Sequence, residues 1–300
     1  MTAADPTWFA GFSEDDVDVP GARIHLRSHP GPQRAGSPVR PPVVLLHGYP
    51  QTGAMWHEVA SGLATERPVL VPDLRGYGRS SAIDGNLSFR AMAADVAALL
   101  DERGIEAAHV VAHDRGARAA HRLALDHPGR VRSLALLDIL PTLAVWRLMG
   151  ADDGWLARRY WHWPLLAHPV VGPAVVCPDP VTWLRTGLRT LGVGDWLDAR
   201  ALAEYERAAA SPGVAQAWCA DYAAAGDVDL EHDRLDQGRT LEMPTLVLWG
   251  SRGVVGAQVD PVEEWRRVFP QATGRALDAG HFLAEERPEE TLALVRRHLA

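Results

Sequence analysis

Short, solidly apolar runs alternate along the chain with longer stretches in which apolar positions recur at helical spacing. Val43–Leu46, Val69–Val71 (within Pro68–Pro72), Val110–Ala112 and Leu134–Leu137 are such runs, each ending in a turn, a glycine or an aspartate. That is the signature of parallel strands buried on both faces. Between them, Ser88–Arg103 carries Phe89, Met92, Val96, Leu99 and Leu100 on one side of a helix, and Arg118–His127 reads as another. Gly31–Pro42, rich in Pro, Gly and Ser, reads as a loop. Strands alternating with helices predict an α/β fold built on a mostly parallel sheet flanked by helices.

The pattern changes at Pro141. From 141 to 237 strand-like runs are scarce and tryptophan is dense, at Trp146, Trp155, Trp161, Trp163, Trp183, Trp196 and Trp218. This predicts an inserted helical cap of about 95 residues, the size of a small subdomain. A strand signal returns at Thr245–Trp249, polar turns follow, and a closing helix is expected over Pro288–Leu299. The expected organisation is therefore a core of 1–140 and 238–300 with a cap of 141–237.

Composition narrows the function classes. The 300 residues are 47% hydrophobic and 23% charged, ordinary for a globular chain. No apolar run approaches the roughly 20 residues needed to span a bilayer. The acidic stretch Met1–Asp18 lacks the basic start and apolar segment of a signal peptide, so a cytoplasmic protein is expected. The net charge of −8 argues against binding nucleic acid through a basic face. Cys177 and Cys219 form no disulfide framework, and no Cys/His cluster has zinc-ligand spacing, so no metal is expected. All 30 basic residues are arginine, which weakens the evidence carried by any single one.

Ala112-His113-Asp114-Arg115-Gly116 follows a buried strand and opens a helix. It has the small-x-nucleophile-x-Gly pattern of the nucleophile elbow in the α/β-hydrolase fold, with aspartate at the nucleophile position. Free N–H groups at the helix start favour a carboxylate there. An isolated aspartate before a helix is usually only an N-cap. Here, however, His47-Gly48-Tyr49-Pro50 follows an early strand, Asp138 follows the next one, and His281 follows the last, in the chain order of a triad on this fold. A carboxylate nucleophile suits displacement at sp³ carbon and gives an alkyl ester, which water activated by His281 and oriented by Asp138 would hydrolyse. The backbone N–H groups of Tyr49 and Arg115 are the expected oxyanion donors. Asp260 rivals Asp138 for the acid role, and Asp138 is preferred for its place at a strand end. His113 is expected to pack below the turn, Tyr49 to act through its backbone, and His57 to be structural or exposed.

The chain resembles the fluoroacetate (haloacetate) dehalogenases. The likeness is carried by His47–Thr52, Asp73–Gly78, His113–Arg118, Leu137–Thr142, Tyr160-Trp161-His162-Trp163, Asp221-Tyr222 and Gly280-His281-Phe282. His-Asp-Arg-Gly-x-Arg together with Tyr-Trp-His-Trp is its narrowest part. The resemblance implies that Arg115 and Arg118 hold a substrate carboxylate, and two guanidinium groups suit that task. It further implies that His162, Trp163 and Tyr222 receive the halide, that the substrate is a small 2-halo acid, that no cofactor is needed, and that the protein is a homodimer. Aromatic residues in a helical segment are more often core.

Ala112, Pro164 and the segment 188–194 depart from the family pattern, and the last two are candidate entrance positions. An epoxide hydrolase with the same nucleophile, using Tyr160 and Tyr222 as acids, is the second reading, although a neutral epoxide has no use for two arginines. A catalytically silent binding module is the third.

Overall fold

The computed structural model describes residues 8–32, 40–151 and 153–300. Nine strands form one sheet: β1 (Ser13–Val19), β2 (Ala22–His29), β3 (Val43–Leu46), β4 (Val69–Pro72), β5 (Ser81–Ala82), β6 (Ala108–His113), β7 (Val131–Leu137), β8 (Thr245–Gly250) and β9 (Thr273–Leu277). Their order is β1-β2-β4-β3-β6-β7-β8-β9, with β5 beside β2. β3, β4 and β6–β9 run parallel, while β2 pairs antiparallel with β1, β4 and β5. All of β3 and β4 is buried, as helices on both faces require.

β1, β2, β5 and β9 fall where no strand was read from the sequence. β1 lies in the stretch read only as acidic. It is an edge strand with Asp15, Asp16 and Asp18 exposed, and charge on an edge discourages pairing with other chains. β9 falls where polar turns were expected; it is also an edge strand, and of its five residues only Leu277 is buried. Loop 31–42 carries no regular element in its described part, and residues 33–39 lie outside the described residues.

The helix Phe89–Glu102 starts at Ser88, whose Oγ accepts the Ala91 N–H at 3.2 Å, and buries Phe89, Met92, Val96, Leu99 and Leu100. The next helix begins at Asp114, where the elbow pattern opens it and before the helical reading of Arg118–His127, and ends at Asp126; every residue from Asp114 to Leu125 is buried. Eight helices, from Thr142–Met149 to Val228–Leu235, fill the stretch between β7 and β8, with no strand among the described residues. No helix among the described residues is long and apolar enough to cross a membrane.

Polar side chains tie this helical stretch to the strands' side of the molecule. Trp183 donates its indole N–H to the Tyr49 hydroxyl at 2.5 Å. Asp229 accepts the Phe89 N–H at 3.0 Å, while its Oδ2 is buried without a partner. Burial, then the nearby charge of Asp221, pushes the Asp229 carboxyl up to about 7. Because its folded-state pKa is raised, Asp229 favours folding fully below the ordinary carboxylate range, and that contribution is lost as pH rises through about 7. Asp229→Asn should therefore raise the melting temperature by a few degrees at pH near 9 and change it little at pH near 5, as thermal unfolding at the two values would show.

Candidate active site

β6 ends at His113 and the chain turns through Asp114, whose φ is +46°. Among the described non-glycine residues only Phe9, Asp114 and Asp138 have positive φ, so the two carboxylates singled out in the sequence both sit on sharp turns at strand ends. Two glycines make the first turn possible. A Cβ at Gly116 would lie 2.4 Å from the His47 carbonyl oxygen, and one at Gly48 would lie 2.5 Å from the Asp114 Cβ. That close approach lets the Tyr49 N–H donate to Asp114 Oδ1 at 3.0 Å. Arg115 lies in the first turn of the helix, where N–H groups have no intrahelical acceptor.

His281 lies in the loop after β9. Its Nδ1 meets Asp138 Oδ2 at 2.6 Å, and Asp138 Oδ1 accepts the Gly250 N–H at 2.9 Å. Asp260 instead caps the helix Pro261–Arg266, accepting the Val262 N–H at 2.8 Å. His113 Nε2 donates to the His281 carbonyl oxygen at 2.9 Å, with the two rings 4.6 Å apart. His57 is buried and stacks on Trp8, 4.6 Å between ring centroids.

Charges tune these groups. Burial pushes the Asp114 carboxyl up, but the charges of His281, His113 and Arg115 and the Tyr49 N–H outweigh it and hold the carboxyl below the usual carboxylate range. Burial disfavours protonated His281, yet its bond to Asp138 and the charges of Asp138 and Asp114 raise it above ordinary imidazole. His113 is driven down to about 3, first by burial and then by the neighbouring His281.

The two arginines are both buried and share an aromatic surround. Arg115 stands 5.6 Å and Arg118 4.8 Å from the centre of the Trp163 ring. Arg115 Nε donates to Asp221 Oδ2 at 2.8 Å and its Nη2 to the Asp221 carbonyl at 2.9 Å and to Oδ1. Tyr77 adds its hydroxyl to Asp221 Oδ2 at 2.5 Å. Arg118 Nη1 donates to Thr142 Oγ1 at 2.8 Å. Arg115 Nη1 and Arg118 Nε and Nη2 are buried without a hydrogen-bond partner.

His162, Trp163 and Tyr222 come together. The Tyr222 ring lies 5.8 Å from His162 and 5.6 Å from Trp163, and Tyr160 stacks on Trp163 at 5.7 Å. The Asp114 charge is felt at His162 and Tyr222. Burial brings His162 down to about 4, so its ring is neutral near pH 7. Pro164, expected near an entrance, is exposed, whereas the Leu191 carbonyl oxygen of the 188–194 segment would lie 3.8 Å from a Cβ placed at Gly280, beside His281.

Sequence reasoning assigned no part to Asp221, Tyr77 or Thr142, although all three stand within motifs it quoted. Their pairing with Arg115 and Arg118 joins elements far apart in the chain, and no local spacing reports it.

A carboxylate after β6, a second after β7 and a histidine after β9, on a sheet of this order, define the α/β hydrolases. The chain belongs to that family, whose model, the alpha/beta hydrolase fold, matches residues 41–288. Within it the chain is similar to a fluoroacetate dehalogenase from Burkholderia sp, 40% identical over 300 residues that cover 97% of this chain and 95% of the relative. A soluble epoxide hydrolase from Corynebacterium sp. (strain C12) is 30% identical and covers 83% of this chain and 86% of its own. The crystal structure of an α/β hydrolase from Nostoc sp PCC 7120 superposes with a TM-score of 0.90 at 41% identity, over 97% of this chain and 99% of that one.

Proposed function

We propose that the protein is a hydrolytic dehalogenase of haloacetates such as fluoroacetate and chloroacetate, converting haloacetate and water to glycolate, halide and a proton. The observation that carries this reading is the buried cation Arg118, with two donor nitrogens lacking a protein partner, one helical turn from Asp114. A buried guanidinium left so calls for an anionic ligand.

In this reading the ionised Asp114 attacks C2 of the substrate, the carbon–halogen bond breaks, and the halide leaves with its electron pair. The aspartyl ester forms at the oxygen that attacked. His162, Trp163 and Tyr222 receive the halide; among the described residues none of their side-chain polar atoms has a hydrogen-bond partner. Esterification removes the Asp114 charge that helps raise His281, so the intermediate favours the neutral imidazole that must take a proton from water. Hydroxide adds to the ester carbonyl and the Tyr49 and Arg115 N–H groups hold the oxyanion; collapse breaks the ester C–O bond, the departing alkoxide takes the proton from His281 to give glycolate, and Asp114 releases its proton to solvent. Asp138 keeps His281 oriented. Residues 141–237 act as the cap over a core of 1–140 and 238–300. The resemblance that suggests this activity also suggests a homodimer, which sedimentation equilibrium would check.

The epoxide-hydrolase reading has support in the relatives that bear that name and in Tyr160 and Tyr222 near Asp114. Incubation with fluoroacetate, chloroacetate and styrene oxide, following halide release and diol formation, separates the two. Halide without diol supports the dehalogenase; diol without halide overturns it. Trp163→Phe keeps a ring for the arginines but removes the indole N–H. Fluoride release should fall about 10- to 100-fold and bromide release only a few-fold, because fluoride depends most on donors as it leaves. Equal losses would remove Trp163 from the halide site.

A further inference from the structure

Arg115 and Arg118 are unlike in the edge they leave free. A guanidinium matches a carboxylate with two parallel bonds through its Nε–Nη2 edge or its Nη1–Nη2 edge, and both edges need Nη2. On Arg115 the Nε–Nη2 edge is taken by Asp221, in an ion pair with no exposed surface on either side chain. The guanidinium is held further by Phe89 at 4.7 Å and Tyr222 at 4.2 Å from the ring centres, which leaves Nη1 alone to reach outward. On Arg118 the same edge is the free one, and no ion pair engages Arg118 among the described residues. Burial and the charge of Arg115 bring Arg118 down to about 10, so it stays charged at neutral pH.

We propose that Asp221, steadied by Tyr77, sets the charge of the substrate site: it neutralises Arg115 and restricts it to one nitrogen, leaves Arg118 to grip the carboxylate with two, and thereby fits the site to monocarboxylates over dicarboxylates. This rests on the carboxylate-clamp reading above. Asp221 is a positioning residue, acting through Arg115. Its added consequence is electrostatic. Without the Asp221 charge the site would hold one more uncompensated cation within a few ångströms of the ligand, a change that favours a dianion over a monoanion by about 10- to 100-fold.

The test is binding of glycolate and oxalate, ligands of the same carbon count, followed by tryptophan fluorescence or calorimetry at neutral pH. Asp114 repels oxalate alike in every variant. Wild type should prefer glycolate. Asp221→Asn should move the oxalate-to-glycolate affinity ratio at least about tenfold toward oxalate. Removing one partner of a buried pair can unfold a protein, whereas replacing both with apolar groups is often tolerated. The paired variant Arg115→Met with Asp221→Leu therefore provides the second arm. It should keep the wild-type ratio and lose at most about tenfold in glycolate affinity, while Arg118→Met loses about a hundredfold or more. An unchanged ratio in Asp221→Asn, or a paired variant as deficient as Arg118→Met, overturns the proposal. If those results accompany normal halide release and glycolate binding by wild type, only the role of Asp221 falls. If wild type neither binds glycolate nor releases halide, the clamp falls with it.

Discussion

With asparagine at position 114, halide release from chloroacetate or fluoroacetate should drop by at least about 10⁴-fold, because the neutral amide has no carboxylate oxygen with which to displace the halide. The substitution is nearly isosteric, and the Tyr49 N–H can still be accepted by the amide oxygen, so folding should persist. Glycolate binding should persist too, since Arg115 and Arg118 are untouched. Ion chromatography of released halide beside a binding titration checks both halves. Substantial turnover by Asp114→Asn would mean that water attacks the substrate directly, and Asp114 would then be a base or an anchor.

Exchanging His281 for glutamine should separate the two chemical steps. Alkylation of Asp114 needs no base, so one halide per protein chain should appear in a burst, after which release slows by about 10³-fold or more. The peptide containing Asp114 should then carry a carboxymethyl group, visible by mass spectrometry. No burst and no adduct would place His281 in the first step. For the wild type, steady-state turnover should fall on the acid side as His281 becomes protonated. Its pKa lies above that of ordinary imidazole because the bond and charge of Asp138 and the charge of Asp114 outweigh burial. Asp138→Asn should therefore move that acid limb to lower pH while lowering the rate.

Much of the sheet was legible because its central strands are apolar on both faces: β3, β4, β6, β7 and β8 all contain the runs read from the sequence. β1 and β9 were not, since an edge strand buries too little to leave an apolar signature. The apolar spacing marked the helix from Asp114 only from Arg118 on, because its first turn is Asp-Arg-Gly-Ala; the elbow pattern supplied the start. At the site, residue types and chain order were enough to nominate Asp114, Asp138 and His281, and the geometry brings Asp138 and His281 within a hydrogen bond. Asp260, the rival acid, is spent on a helix start. The inequality of the two arginines was not legible. Arg115 meets a carboxylate 106 positions away in the chain, and a sequence read locally treats both guanidinium groups as equally free.

Three of the polar attachments of residues 141–237 to the rest of the chain fall on residues grouped around Asp114 and Arg115. Arg115 is joined to Asp221, the Tyr49 hydroxyl to Trp183 and the Phe89 N–H to Asp229. The helical stretch 141–237 is thus fastened beside Asp114 as well as elsewhere, through Glu204 to Arg27 and Tyr205 to Glu285. Swinging it away would strand a guanidinium and a carboxylate with no exposed surface between them, a costly separation. On the dehalogenase reading, substrate should then reach Asp114 without the helical stretch swinging away.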